Sequence, residues 1–147
     1  MTNIPNIKQD AILRGRICAY CEKQTELVDS KVVYGKSYGP IYYCRDCQAW
    51  VGCHKGTNKS LGRVAKGKLR NLKKEAHKYF DHMWKRRMNE SKRMTKKKAR
   101  TLAYKWLSEQ MGTDPEYTHI GMYNEYQCER VIALCKPYYK SKRKNDG

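Results

Sequence analysis

The sequence predicts an α+β chain, a small four-cysteine zinc ribbon of β-hairpins followed by a helical module of three to four helices. Three observations predict it. Cys18-x-x-Cys21 and Cys44-x-x-Cys47 are separated by twenty-two residues, which lets two tight turns each offer two thiolates to one tetrahedral Zn²⁺. From Gly67 onward apolar residues recur at the three-four spacing of a helix. The intervening stretch alternates strand-like runs with turn chemistry.

Residues 1–16 read as an N-terminal arm with one helical turn around Gln9 to Leu13. Residues 17–60 form the ribbon. Within it Glu26 to Tyr34 is strand-like, Gly35 to Pro40 is a turn and Ile41-Tyr42-Tyr43 is a second strand, so the hairpin returns the chain to its own metal. Gln48 to Gly52 is a further short strand that extends the ribbon, and Cys53 to Ser60 is a polar turn. Its Lys55-Gly56-Thr57-Asn58-Lys59-Ser60 run lacks the spacing of a phosphate loop.

Residues 61–137 read as a helical module packed on the ribbon. Leu69, Leu72, Ala76, Phe80, Met83 and Arg87 mark one face of a long helix from Gly67, the last position covered by a side-chain stem. Asn89 to Lys98 is a basic link, and Thr95 caps a helix from Lys96 to Gln110 that stops at Gly112. Asp114-Pro115-Glu116 restarts a short helix that ends near His119-Ile120-Gly121. Asn124 caps the last helix, Glu125 to Cys135, which should break before Pro137. Residues 138–147 are left as a basic, frayed tail.

The four knuckle cysteines are expected to hold one structural zinc. Disulfides would need an oxidising compartment, and Met1 to Arg14 lacks the apolar run of a secretory leader. No stretch is long and apolar enough to span a membrane; the expectation is a cytoplasmic protein. One Phe and few branched aliphatics accompany twelve Tyr and three Trp, a lean core that gains from a metal staple. Cys53 and His54 are expected outside the metal shell, since two knuckles already fill a tetrahedron, and Cys128 and Cys135 read as small buried hydrophobes.

The net charge is +18, with 32 Lys plus Arg against 14 Asp plus Glu, and residues 61–100 alone carry sixteen basic and three acidic residues. Such a block is the electrostatic footprint of a polyanion, usually nucleic acid, DNA or RNA. The candidate contacts are Lys73, Lys74, Lys78, Arg86, Arg87, Lys96, Lys97 and Lys98, with Tyr79 and Trp84 as stacking candidates if the target is single-stranded, although core packing is the favoured role for Trp84. The last helix, nearly neutral, is a poor recognition helix.

The pattern resembles a zinc-finger-containing domain family of uncharacterised function from bacteria and their phages. The likeness rests on Cys18-x-x-Cys21, Cys44-x-x-Cys47, Trp50-Val51-Gly52-Cys53-His54-Lys55-Gly56-Thr57, Leu61-Gly62, Leu69-Arg70, Ala76-His77, Phe80-Asp81, Trp84, Tyr104, Trp106-Leu107, His119-Ile120-Gly121 and Cys128. It covers roughly residues 18–132. In that family the position of Cys53 more often holds an aliphatic residue and that of Ser60 a proline. The resemblance implies zinc, nucleic-acid contact and a phage or mobile-element origin, and it implies no activity.

Two classes of function follow. The first is a zinc-stabilised nucleic-acid-binding protein that holds the phosphate backbone with low sequence selectivity, or an adaptor or inhibitor docking on a host protein complex through the same basic surface. The second is a metal-assisted nuclease using a polar cluster of His54, His77, Asp81 and His119, because a histidine one turn from a carboxylate can serve as an acid/base or metal pair. The scarcity of acids and the absence of a His-Asn-His order weigh against catalysis.

Overall fold

Glu26–Asp29 (β1), Pro40–Cys44 (β2) and Ala49–Gly52 (β3) form an antiparallel sheet in the order β1-β2-β3. The computed structural model describes residues 4–146, with side chains described through residue 139; the remainder of the arm and tail expected from the sequence lies outside the described residues. Tyr43 faces Glu26 on one side and Trp50 on the other, and Cys44 faces Ala49 across the second hairpin. Inward positions alternate as the pleat requires: Ile41, Tyr43, Ala49 and Val51 are buried.

The chain divides into two units. The ribbon unit comprises Ile4–Arg70 with Gly121–Tyr123, and the helical unit comprises Asn71–Ile120 with the chain from Asn124.

In the ribbon unit, Ile7–Leu13 (α1) starts from a capping box, in which Asn6 accepts from the Gln9 N–H at 2.8 Å and Gln9 accepts from the Asn6 N–H at 2.9 Å. After β3 the chain folds back, so that Trp50 and Ala65 exchange backbone hydrogen bonds. A cluster of Cys18, Cys44, Ala49, Val51 and Val64 forms a core, with Cys21, Tyr42 and Cys47 packed against it. The thiols are thus part of the core rather than an addition to it.

One predicted strand is corrected. Val32-Val33-Tyr34 does not continue β1; Lys31–Tyr34 (α2) is a single helical turn. Asp29 accepts from the Lys31 N–H at 2.8 Å, and Gly35 closes the turn in the left-handed region at φ 71°. Local side-chain hydrogen bonds at Asp29 and the glycine stop outweigh the strand preference of two valines.

In the helical unit, Gly67–Glu90 (α3) enters from the ribbon unit, and Lys96–Met111 (α4) and Glu125–Asp146 (α5) follow. Thr95 caps α4 by accepting from the Lys98 N–H, and Gly112 ends it in the left-handed region. Asp114 caps a 3₁₀ turn, Pro115–Tyr117, and a second turn, Ile120–Met122, follows, so the expected short α-helix is two tighter turns. Ala76, Tyr79, Phe80, Trp84, Ala99, Leu107, Cys128, Val131 and Cys135 are buried.

The last helix is the second correction, for α5 runs through Pro137 instead of breaking before it. Proline removes one N–H from the ladder, a cost of roughly 3 kcal/mol in a helix interior. Beyond it the Tyr139 ring packs 5.3 Å from Tyr79 and 4.6 Å from His82, centroid to centroid, and that packing carries the helix past the missing bond. Among the described residues no helix is long and apolar enough to cross a membrane.

Candidate metal centre and basic surface

The two knuckles are built alike. Each begins with a cysteine, closes a tight turn, and is followed at once by a residue in the left-handed region: Glu22 at φ 64° after Cys21, and Gln48 at φ 52° after Cys47. The Glu22 N–H bonds the Cys18 carbonyl at 2.9 Å, and the Tyr20 N–H points at the Cys18 Sγ at 3.4 Å. Across the site Lys23 pairs with Asp46 at 2.6 Å, tying one knuckle to the other at the surface.

The ligand atoms of Cys18, Cys21, Cys44 and Cys47 all lie within 4.8 Å of one another, and the Cys21 and Cys44 sulfurs are 3.6 Å apart. A tetrahedron of thiolates about 2.3 Å from a zinc ion has edges of about 3.8 Å. Four soft donors at this spacing, two of them buried, fit one such ion. Cys53 and His54 follow β3 in the polar turn and do not belong to the cluster.

The thiols are electrostatically unequal. Cys21 is lowered, chiefly by the Lys23 backbone N–H and further by neighbouring cysteines, against burial. Burial raises Cys44, and burial followed by the other thiols pushes Cys47 up to about 12. Four packed thiols do not all ionise unaided, and a divalent cation offsets the charge they would carry. Away from the cluster burial pushes the Cys135 thiol on α5 up to about 12, and Cys128 is fully buried two turns earlier in the same helix.

The predicted basic residues occupy several positions. Lys74 and Lys78 are exposed on the outward stripe of α3, where Lys85 continues the same line. Lys73 is half-buried, Arg87 is exposed at the end of the helix, and Arg86 is engaged by Glu90 at 2.9 Å. Lys96, Lys97 and Lys98 are exposed on the first turn of α4 with no acid among them. Of the stacking candidates Tyr79 is corrected, being buried edge-on against Tyr139, while Trp84 packs in the core as favoured, its indole N–H donating to Asp81 at 2.9 Å. Their burial follows from the wide apolar arc of α3, which reaches both residues.

The polar candidates do not assemble. His77 and Asp81 stand one turn apart on α3; burial lowers His77, Asp81 pulls the other way, and Lys73 and Arg100 add to the lowering. Asp81 is spent on Trp84. His119 is exposed, 6.0 Å from the Tyr104 ring, and His54 belongs to the ribbon unit. Among the described residues these four do not form a metal-ligating group.

Reasoning from sequence missed a groove in the helical unit. Lys96, Lys97, Arg100, Thr101, Tyr104, Lys105, Ser108 and Glu109 of α4 line a cavity of about 950 Å³ with Pro115, Thr118 and His119. Lys97, Thr101, Tyr104 and Ser108 recur at helical spacing, a stripe visible in the sequence once the apolar face is set aside.

A family described as a zinc-finger-containing domain matches residues 14–138. Neither the curated proteins nor the solved structures contain a match to the chain.

Proposed function

The chain belongs to that family of zinc-finger-containing domains, whose function is unknown, and from this premise we propose that it is a zinc-stabilised, basic nucleic-acid-binding protein that grips phosphate backbone with low sequence selectivity. One structural zinc on Cys18, Cys21, Cys44 and Cys47 holds the ribbon. With four thiolates it has no open position for a substrate. We extend the proposal to a protein of phage or mobile-element origin working in a bacterial cytoplasm, a reducing setting in which thiols keep metal.

The observation that carries the reading is the poverty of neutralisation on the helical unit. Residues 71–100 hold twelve Lys or Arg and three acids. Of those acids Asp81 is committed to Trp84 and Glu90 to Arg86. Lys96, Lys97 and Lys98 also sit at the positive end of the α4 dipole, where cations are disfavoured and an anion is welcomed. A surface kept basic at that cost to the fold is suited to a polyanion.

The test is binding of labelled duplex DNA and RNA across a salt series. Affinity should be high at low salt and fall with a log-log slope of about 0.9 per duplex phosphate neutralised. Replacing Lys74, Lys78, Lys85 and Lys97 by Gln should flatten the slope and weaken all sequences alike, with zinc content unchanged. Absence of binding to either nucleic acid at low salt removes the reading.

A further inference from the structure

We propose that the groove along α4 takes a segment of single-stranded nucleic acid, with unpaired bases against the Tyr104 and His119 rings and phosphates along Lys96, Lys97, Arg100 and Lys105. The proposal rests on the nucleic-acid reading above and adds to it a site and a strand form.

Size comes first. At about 950 Å³ the groove lies at the upper end of the roughly 300–1,000 Å³ range of ligand pockets, and it holds more than a lone ion. Charge comes second. Four cations line it against the single acid Glu109, and none of the four is held in an ion pair among the described residues.

Flat surfaces come third. The Arg100 guanidinium lies 5.7 Å from the Tyr104 centroid and 5.8 Å from that of Trp84. The Tyr104 ring is backed by Phe80 at 4.9 Å, and the exposed His119 ring lies 6.0 Å from it at a tilt of 52°. Planar cations and rings held by packing are platforms for bases that have left a stack. A duplex keeps its base faces covered, so it offers this groove only its backbone.

The Ser and Thr hydroxyls of the lining bear on the mode of recognition. Thr101 donates to the Lys97 carbonyl at 2.8 Å, Ser108 to that of Thr113 at 2.6 Å, and Thr118 to that of Asp114 at 2.8 Å. With these three donors committed to backbone, the groove is suited to stacking bases and neutralising phosphates more than to reading base edges. An acidic peptide would match the charge but brings no flat base to lie on the rings.

The experiment uses the full zinc-loaded chain with labelled oligo(dT), oligo(U) and a mixed-sequence duplex of equal length. Single strands should bind more tightly than the duplex. The exposed His119→Ala, which removes a ring assigned to bases and to no phosphate, should weaken single-strand binding by about tenfold or more while duplex binding changes little. Oligonucleotides carrying 5-iodouridine should photocrosslink within residues 100–119. Equal losses on both forms, or crosslinks confined elsewhere, overturn the groove and leave backbone binding standing. Binding of labelled polyglutamate that is lost in His119→Ala, with no single strand bound, assigns the groove to an acidic peptide and overturns the proposal. Failure to bind any nucleic acid removes the parent reading and this one together.

Discussion

Gly62 and Gly121 pass so closely in the ribbon unit that neither has room for a Cβ. A Cβ on Gly62 would fall well inside 3.0 Å of the Gly121 carbonyl, and one on Gly121 would meet the Leu61 carbonyl. Arg63 seals the approach: its N–H bonds the Gly121 carbonyl at 3.0 Å, and its Nε bonds that of Met122 at 2.8 Å. Gly62 also has φ 149°, a region L side chains rarely adopt. Gly62→Ala should therefore cost about 3 kcal/mol from strain and overpacking. Gly56→Ala, at φ 75° with nothing within 4 Å, should cost only about 1 kcal/mol. Chemical denaturation of the two variants checks the contrast.

Cys44→Ser should lose the metal and unfold the ribbon unit, because the free energy of binding a structural zinc is largely folding free energy. Cys128→Ser should leave zinc content at one ion per chain, since Cys128 lies outside the four-thiol cluster. Elemental analysis of both purified proteins, with circular dichroism for fold, measures this. Zinc-free native protein with an intact ribbon would contradict the assignment.

Gln48→Gly should stabilise the second knuckle by up to about 1 kcal/mol, since a left-handed conformation strains any side chain and glycine adopts it freely. Gln48 is exposed at φ 52°, so little packing is lost. The readout is resistance of the zinc to a competing chelator.

Lys98→Glu should separate stability from binding. Thr95 already accepts from the residue-98 N–H, and a glutamate there can complete the capping box and favour the positive helix end, by about 0.5–1 kcal/mol together. The same change removes a cation from the proposed phosphate surface. Melting temperature should rise while oligonucleotide affinity falls; a fall in both would show that Lys98 supports the fold.

His77 supplies a pH dependence. Burial holds its imidazole below the ordinary value, so the folded protein resists a proton that the unfolded chain accepts near pH 6.5. Its contribution to stability is therefore complete above about pH 6.5 and is lost as the pH falls toward the folded value. His77→Gln should reduce that slope in helix melts recorded between pH 7.5 and pH 5.5.

The four-cysteine cluster was legible because metal geometry imposes a spacing on the chain, and Thr95, Gly112 and Asp114 were legible because caps are local chemistry. Val32 and Val33 misled because strand preference is weak beside the hydrogen bonds at Asp29. Pro137 misled because its cost is met by Tyr139, a partner that spacing does not reveal. Arg100 and Lys105 are not legible as candidates for a related reason. Their place on the cationic surface depends on burial around them, and the groove needs His119, which α4 does not contain.

The ribbon unit is written in the gene as two separated pieces, ending at Arg70 and resuming at Gly121. Chains emerge from the ribosome N-terminus first, at about 5–20 residues per second. The knuckles are therefore exposed to the cell before the segment that Arg63 holds has been made. Joining ends across the insertion costs little extra, since each doubling of a loop adds only about 0.6 kcal/mol. Timing is the larger consequence: metal can reach the four thiols while Gly121–Tyr123 is still inside the ribosome. A nascent chain stalled before Gly121 would then carry zinc in an open ribbon, vulnerable to proteases that the finished chain resists.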